Sequence, residues 1–384
     1  MNLASLGQVN EVNCFSYLRE VKWLKNLLSQ LNSFVENFSE NYLERSITLR
    51  HVEMGFDLGT ENLKCAMVEK GTNRIAGLLH TRLVPERTSR NEKIHKNELR
   101  DKFRELSRGL MKKYAGNPLE ICSSIQGEGT VNQYLEFPAL SKKEIPLAVE
   151  AKAMKNIPFP AEKIKLDFLL VPPLGDKKNK TAVFAAAAHQ DSLEEYINLI
   201  TDCGFKVKSL ETPILPLVRE FRWNHPDAGD APVMLVHSGF RLTLVAVLIN
   251  GYPYYSREFN IAGGDFTYAF QMAFQSSWDE AEEYKISYDA IKRDATLEPF
   301  IVRWLDEIHK SWSYFKSSFP QVTEPLSRIY FSGGNSRMMN LDRILEEKMG
   351  VPVEIDSWSK IRKINRNIKQ EPCLYKIAVG LTLR

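Results

Sequence analysis

The chain of 384 residues lacks an excess of either charge, with 51 lysine and arginine residues against 48 aspartate and glutamate residues. This balance gives no reason to expect a nucleic-acid partner, which basic patches would indicate. No uninterrupted apolar run approaches the roughly 18–20 residues needed to cross a bilayer, so no transmembrane segment is predicted. The N-terminus has no basic region followed by an apolar one, which argues against a secretory signal.

Cysteine is sparse and dispersed. The five cysteines stand at positions 14, 65, 122, 203 and 373, and none of them forms a CxxC pair. An odd number of widely spaced thiols fits a reducing compartment and buried free cysteines better than disulfides or a zinc site. We therefore expect a cytoplasmic protein.

Apolar residues, in contrast, are plentiful enough for sizeable cores. They make up 43% of the chain, and charged residues make up 26%. These proportions are typical of a soluble globular protein. A chain of this length is long for one compact domain and comfortable for two.

The first fifty residues have a pattern of their own. Apolar residues follow alternating three- and four-residue steps from Cys14 to Tyr42, with no proline or glycine between them. This spacing predicts an amphipathic or coiled-coil helix of about four heptads. Either the helix docks on its own globular domain, or its apolar seam binds a partner helix or a second copy of the chain.

From Glu53 onward the pattern changes to short strands, and a similar order begins again near Asp230. The predicted strands are Glu53–Asp57, Asn62–Glu69 and Ile75–Leu83 in the first half, and Val233–Val236, Leu242–Ile249 and Tyr254–Phe259 in the second. Helices are predicted over Glu92–Lys113 and over Ser141–Asn156, where the following prolines end the second one. Two β-rich halves with the same element order predict a duplicated α/β fold with a ligand cleft between two lobes.

The first strand pair encloses the turn in GFDLGTENLK. Gly59 permits a tight turn that brings backbone N–H groups against phosphate oxygens, and Thr60 and Asn62 are further donors. Asp57 is a candidate ligand for a hydrated divalent metal, because Mg²⁺ usually keeps several waters. Lys64 either faces the phosphates or projects into solvent. Taken alone, this pattern also fits an ordinary hairpin turn.

Further candidate binding residues follow in the second half. Small residues at the start of a helix let a ligand approach the backbone, and a carboxylate and an ammonium group one turn apart can bind ribose hydroxyls and adenine edges. The candidates are Gly263, Gly264, Glu282, Lys285, Gly333, Gly334 and Asn335. The alternatives are glycines needed only for packing and an ion pair on a solvated surface.

In their order along the chain, these motifs resemble the nucleotide-contact motifs of the PilM-type proteins of type IV pilus assembly, within the actin and FtsA group. The motifs are GFDLGTENLK, VHSGFRLT, IAGGDFTYAF, DEAEEYK and IYFSGGN, and the resemblance continues in SLETPILPLVREF, VRWLDEIHKSWSYFKSS, KMGVPVEI and LYKIAVGLTLR. It runs from Glu53 to Arg384. It implies an actin-like fold of two duplicated RNase H-like lobes, with ATP and Mg²⁺ between them.

The resemblance also implies a division of the chain. An N-terminal amphipathic helical extension would span residues 1–50, and the first lobe with its phosphate turn would span residues 51–133. A small inserted subdomain would occupy residues 134–208, and the second lobe residues 209–384, with a C-terminal return to the first lobe.

The resemblance further implies partners and site residues. The short tail of a PilN-like inner-membrane protein would dock on the inserted subdomain and the neighbouring first lobe. The protein would lie at the cytoplasmic face of the inner membrane and meet pilus motor ATPases. Carried over by position, the phosphate residues are Asp57, Gly59, Thr60, Asn62, Lys64 and Gly239, with Asp57 as the metal ligand, and the nucleoside residues are Gly263, Gly264, Glu282, Lys285, Gly333, Gly334 and Asn335.

One motif departs from the family pattern. The second phosphate loop ordinarily presents an aspartate and a run of Ser and Thr, but here it reads HSGFRLT, beginning at His237. A histidine that is largely neutral near pH 7 cannot replace a carboxylate in orienting Mg²⁺-bound water. Arg241 is a phosphate partner if its side chain points inward.

We therefore expect a scaffold with weak or vestigial ATP binding and little hydrolysis. One alternative is a GspL-like component of a type II secretion system, in which the same fold has lost its nucleotide. The other is an active ATPase or sugar kinase of this fold. A kinase needs a carboxylate base, and the second half of the chain offers no matching acidic motif.

Overall fold

The fold was examined in a computed structural model. The structure describes residues 52–72, 74–83, 96–114, 119–125, 129–155, 157, 163–175, 179–358 and 371–383. The helix predicted over residues 1–50 lies outside these ranges.

The first lobe contains a five-stranded sheet in the order β3–β2–β1–β4–β8. Its strands are β1 (Val52–Leu58), β2 (Asn62–Glu69), β3 (Ile75–Arg82), β4 (Leu119–Ser124) and β8 (Phe205–Glu211). The first three strands form an antiparallel meander, and β4 and β8 continue the sheet in parallel. Two helices flank the sheet, α1 (Lys96–Tyr114) and α3 (Gln190–Asp202). Phe56, Phe103 and Phe205 meet in the core between the sheet and these helices.

The second lobe repeats this sheet topology in the order β11–β10–β9–β12–β13. Its elements are β9 (Val233–Ser238), β10 (Thr243–Ile249), β11 (Tyr252–Phe259), α5 (Gly263–Phe274), α6 (Trp278–Ser287), α7 (Glu298–Ser318), β12 (Arg328–Ser332), α8 (Leu341–Met349) and β13 (Val353–Ile355). Nearly all side chains of β9 and β10 are buried, as expected for central strands covered on both faces. The repeated topology confirms the duplicated α/β architecture predicted from the sequence.

A smaller antiparallel sheet is inserted within the first lobe, between β4 and α3 in sequence, in the order β5–β7–β6. Its elements are β5 (Thr130–Pro138), α2 (Ile145–Ala153), β6 (Ile164–Val171) and β7 (Lys180–His189). The ring of Tyr134 on β5 packs against Tyr254 and Phe319 of the second lobe, with centroids 5.5 and 5.2 Å apart. Ile200 of α3 and Phe205 of β8 belong to the core of the first lobe. The sequence-based boundary at residue 208 therefore separates these residues from the lobe they pack in.

Two helices join the lobes, α4 (Ile214–Asn224) and α9 (Lys376–Thr382). Helix α9 lies between β1 and α4 at distances that only glycine permits. A Cβ atom at Gly380 would lie 1.9 Å from the carbonyl oxygen of Pro216, and one at Gly55 would lie 2.0 Å from the carbonyl oxygen of Ala378. Backbone therefore packs directly on backbone on both sides of α9.

A fully buried ionic cluster lies at the same junction. The Lys376 Nζ atom lies 3.0 Å from Glu220 Oε1 and 2.7 Å from Asp356 Oδ1. His225 Nε2 is 2.8 Å from the same Asp356 oxygen, and the Trp358 indole N–H donates to Glu220 at 2.8 Å. Burial lowers the pKa of Lys376, but the two carboxylates outweigh burial and raise it overall. The cluster connects α4, α9 and the segment after β13.

None of the helices in the described part of the chain combines the length and the apolar character that a bilayer span requires.

Candidate functional site

Asp57 and Lys64 face each other across the β1–β2 hairpin. The two residues are partners in the strand register, and Lys64 Nζ lies 3.4 Å from Asp57 Oδ2. Ser124, at the end of the adjacent strand β4, donates its hydroxyl hydrogen to Asp57 Oδ1 at 3.2 Å. Both oxygens of this buried carboxylate therefore already have a donor. The turn is closed by the Gly59 N–H, which donates to the Asn62 carbonyl at 3.0 Å.

The turn between β9 and β10 is closed in the same way and docks onto the start of α5. The Gly239 N–H donates to the Leu242 carbonyl at 2.9 Å. The N–H groups of Gly263 and Gly264 donate to the carbonyls of Gly239 and Phe240 at 3.0 and 2.8 Å. A helix N-terminus offers such free N–H groups to anions. Here the chain's own turn occupies two of them.

Phe240 fills the space beside this helix start. A Cβ atom at Gly264 would lie 3.0 Å from two atoms of the Phe240 ring. The ring centroid lies 5.7 Å from that of Trp278, which is buried at the beginning of α6. Phe240 stands where the family pattern has a hydroxyl donor. Its side chain is instead part of the apolar packing between α5 and α6.

His237 is the second-last residue of β9 and is uncharged near pH 7. It pairs with Ser332 of the parallel strand β12, and its Nδ1 atom lies 3.0 Å from the Ser332 hydroxyl oxygen. Burial and the positive charge of Lys64 lower the pKa of His237 to about 4, although the charge of Asp57 acts in the opposite direction. The two turns come near each other, because Arg82 joins Glu61 of the first turn to Asp279, whose neighbour Trp278 packs on Phe240 of the second turn.

Glu282 and Lys285 form a largely buried network with Thr267 of α5. Lys285 Nζ lies 2.7 Å from both carboxylate oxygens of Glu282 and donates to the Thr267 hydroxyl at 3.1 Å. The Thr267 hydroxyl in turn lies 2.6 Å from Glu282 Oε2. Burial raises the pKa of Glu282, but the charge and hydrogen bonds of Lys285 outweigh it and lower the pKa overall. With Lys285 only 3% exposed, this pair is no ordinary surface contact.

Gly263 lies where several of the predicted residues meet. A Cβ atom there would lie 3.1 Å from the Gly239 carbonyl oxygen, 3.4 Å from Lys285 Nζ and 3.5 Å from Asn335 Oδ1. Asn335 is fully buried, and neither its oxygen nor its nitrogen has a hydrogen-bond partner among the described residues. Buried side-chain amides are rarely left in this state. Asn335 therefore carries an unused donor and acceptor beside Gly263 and Lys285.

The two adjacent glycines after β12 differ in their surroundings. Gly333 has a positive φ of 90°, and a Cβ atom there would lie 2.3 Å from the Ser238 carbonyl oxygen. This glycine is therefore required for the contact between the two loops. A Cβ atom at Gly334 would meet no other atom within 4 Å, so this residue faces open space.

An ion pair that the sequence motifs do not indicate connects the two lobes near the first turn. Arg82 of β3 donates from Nε to Glu61 Oε1 at 2.9 Å, and its Nη1 atom lies 2.7 Å from Asp279 Oδ1 of α6. Glu61 belongs to the β1–β2 turn. Sequence reasoning missed this contact, and also Ser124 and Ser332, because no local spacing brings these residues together.

The magnesium ion predicted at Asp57 stays a prediction, and the surrounding residues fit it poorly. Both Asp57 oxygens already accept hydrogen bonds, and the facing strand ends in the neutral imidazole of His237. Mg²⁺ prefers oxygen ligands in a near-octahedral arrangement. Within the described ranges, no three His, Cys, Asp or Glu side chains gather into a group that could hold a metal.

Residues 55–384 match the family model of the type IV pilus assembly protein PilM. The solved structure of the PilM-PilN type IV pilus biogenesis complex is 21% identical, covers 86% of this chain and 98% of that chain, and has a TM-score of 0.73. The ethanolamine utilization protein EutJ from Carboxydothermus hydrogenoformans is 13% identical, with 93% and 98% covered and a TM-score of 0.49.

MreB5 of Spiroplasma citri bound to ADP is also similar, with 10% identity, 86% of this chain and 94% of that chain covered, and a TM-score of 0.47. The fold is actin-like, as the sequence predicted. Because the family model spans residues 55–384, most of the chain, this protein belongs to the PilM family of type IV pilus assembly proteins.

Proposed function

We propose that this PilM-family protein is a scaffold of type IV pilus assembly that binds the cytoplasmic tail of a PilN-like inner-membrane protein. It binds a nucleotide weakly in the cleft between its lobes and hydrolyses ATP slowly or not at all. It lies in the cytoplasm, peripheral to the inner membrane, where it meets the pilus motor ATPases. The observation that carries the scaffold function is the neutral His237 at the end of β9, where a catalytic site of this fold needs a carboxylate.

The cleft keeps groups that suit a nucleotide. Lys64 supplies a positive charge at the first turn, and the buried Glu282–Lys285 pair and Asn335 supply charge and hydrogen-bonding groups on the opposite side. Two N–H groups of α5 that would otherwise attract an anion are already bonded to the second turn. We infer that binding is weak because the nucleotide finds part of its site occupied by the chain itself.

The residues at the two turns also argue against rapid ATP hydrolysis. Attack on the terminal phosphate requires a group that orients water or accepts a proton. The two turns carry two carboxylates: Asp57 is engaged by Lys64 and Ser124, and Glu61 is engaged by Arg82. The active ATPase or kinase alternative is therefore disfavoured. The family assignment favours a type IV pilus over the GspL-like type II secretion alternative.

The partner proposal draws on the similar solved structure, a PilM-PilN complex. On the inserted sheet, β6 is an outer strand, and no strand in the described part of the chain pairs with its free edge. Leu169 and Leu170 on β6 are 41% and 52% exposed. A free strand edge with exposed apolar side chains suits an extended peptide, which can add as a further strand.

A titration tests tail binding directly. The full chain is titrated calorimetrically with the synthetic cytoplasmic tail of a PilN-like protein encoded beside it, and we expect saturable binding at one site. Leu170→Glu should weaken binding at least about tenfold, because a charge then replaces an apolar contact surface. Met272→Glu changes another exposed apolar residue, on α5, and should bind as the wild type does. If the tail gives no heat at millimolar concentration, the partner proposal is wrong.

The segment before β1 is proposed as a self-association or docking helix. The apolar repeat from Cys14 to Tyr42 motivates this proposal. Light scattering compares the mass of the full chain with that of a chain lacking Met1–Leu49. An unchanged oligomeric state together with unchanged partner binding would leave only a helix docked on its own domain.

A further inference from the structure

We infer that this cleft holds the phosphates of its nucleotide without a divalent cation. The inference rests on the proposed nucleotide site and deepens it. It concerns what neutralises the phosphate charge, and it follows from the residues at the two facing turns.

The first turn carries its own countercharge for Asp57. Lys64 stands opposite Asp57 in the strand register, and its Nζ atom lies 3.4 Å from the carboxylate. The Ser124 hydroxyl donates to the other carboxylate oxygen at 3.2 Å. A hydrated Mg²⁺ ion at Asp57 would have to displace or compete with both donors. The positive charge that faces the phosphates here is an ammonium group that belongs to the chain.

The second turn contributes no negative charge. An aspartate at position 237 would give the set of Asp57, Lys64 and residue 237 a net charge of about −1, whereas the uncharged His237 leaves the set near zero. Two carboxylates facing the same phosphates repel them unless a cation intervenes. Asp57 is already paired with Lys64, and Glu61 of the same turn is paired with Arg82, so the cleft has no such repulsion for a metal ion to relieve.

Arg241 on the same turn also favours phosphate binding without a metal ion. Arg241 is half-buried on the β9–β10 turn and forms no ion pair with another described residue. A guanidinium that is not neutralised by a carboxylate raises the local positive potential, and phosphate is the anion that it binds most readily. The two turns therefore carry the cations of Lys64 and Arg241, and their two carboxylates, Asp57 and Glu61, each have a cationic partner.

Equilibrium binding of ATP to the full chain, measured by calorimetry in excess Mg²⁺ and in excess EDTA, tests the inference. We expect the two dissociation constants to agree within about threefold. A loss of tenfold or more in EDTA would overturn the inference and leave the proposed nucleotide site intact. Absence of binding in both conditions would overturn the proposed site, and the inference with it.

Two variants separate charge from shape at position 237. His237→Asp places a second carboxylate opposite Asp57, and its affinity for ATP in EDTA should fall at least about tenfold and recover in Mg²⁺. His237→Asn removes the imidazole without adding charge, so its ratio of dissociation constants with and without Mg²⁺ should stay near that of the wild type. If His237→Asp binds ATP with the same affinity in Mg²⁺ and in EDTA, the charge argument is wrong. If thermal unfolding shows that neither variant folds, the wild-type comparison decides.

Discussion

The imidazole of His237 and the hydroxyl of Ser332 share a hydrogen bond of 3.0 Å at the point where two central strands end. A carboxylate in this place would be ionised and would orient a metal-bound water. A buried neutral imidazole instead ties β9 to β12. We propose that this residue gives the end of the strand a structural role in place of a catalytic one.

Titration of His237 should be visible in the stability of the protein. Its folded-state pKa of about 4 lies below its ordinary value of 6.5. Between these values the unfolded chain binds more protons, so stability falls as the pH drops from about 6.5 to 4. We expect this residue to account for a loss of about 2 kcal/mol between pH 7 and pH 5. Urea unfolding of the wild type and of His237→Asn at both pH values isolates the contribution of His237. Equal losses of unfolding free energy in the two proteins would contradict the prediction.

Substitution of Lys376 should lower the free energy of unfolding more than most single substitutions do. Its fully buried ammonium group is the counterion of Glu220 and Asp356. Lys376→Met keeps the length of the side chain but leaves two carboxylates buried without a cation, which should cost about 3–5 kcal/mol. Lys348→Met is the matched control, because Lys348 forms a half-exposed ion pair with Asp306 at 2.8 Å. The control should change the free energy of unfolding by less than about 1 kcal/mol. Similar losses in both variants would refute the role of the cluster.

At the scale of elements, the position of α9 depends on glycine. It lies against α4 and β1 through Gly380 and Gly55, where a Cβ atom would overlap backbone atoms. Such direct backbone contact between helices and a strand holds the two lobes in a fixed relation. The junction therefore has little room to adapt to a larger side chain.

Gly380→Ala tests this contact. Its added methyl group would lie 1.9 Å from the Pro216 carbonyl oxygen, so α9 must shift away from α4. We expect a loss of about 2–4 kcal/mol in the free energy of unfolding, measured by chemical denaturation. Gly334→Ala adds the same methyl group in open space and should cost less than about 1 kcal/mol. If the two variants are equally stable, the close contact does not determine the helix position.

Elements with a clear apolar period could be predicted from the sequence. Strand β2 has the predicted bounds Asn62–Glu69, because turn residues bound its apolar segment on both sides. The helix predicted over Ser141–Asn156 is shorter and spans Ile145–Ala153, since Pro146 fits only in the first turn of a helix. Helix α9 was not predicted. All its residues are buried, so its apolar run has no helical period to distinguish it from a strand.

For the candidate site, the sequence could predict only which segments of the chain line the cleft. Glycine turns and the order of motifs indicate which segments line the cleft, and Gly239, Gly263, Lys285 and Asn335 do lie together. The pattern could not indicate that the N–H groups of Gly263 and Gly264 are bonded to the second turn. Hydrogen bonds between distant segments depend on how the segments pack, and no spacing rule encodes them.

For the whole molecule, separate contacts join the two lobes and the inserted sheet. The buried cluster around Lys376 and the packing of α9 lie at the junction of the lobes. The Arg82–Asp279 ion pair connects β3 of the first lobe with α6 of the second. The inserted sheet packs on the second lobe through Tyr134 and Tyr254. Three separate contacts between units favour a body of stable shape, which suits a scaffold that presents a surface to partners.

The most direct test of the scaffold function is the rate of ATP turnover by the full chain with saturating Mg²⁺ and a saturating PilN-like tail. We predict a kcat below about 0.01 per second, since the facing turns provide no carboxylate free to orient water, whereas typical enzymes turn over at about 1–10³ per second. Phosphate release followed over hours, with heat-inactivated protein as the blank, resolves rates this low. A kcat at or above about 1 per second would contradict the scaffold function and identify the protein as an ATPase.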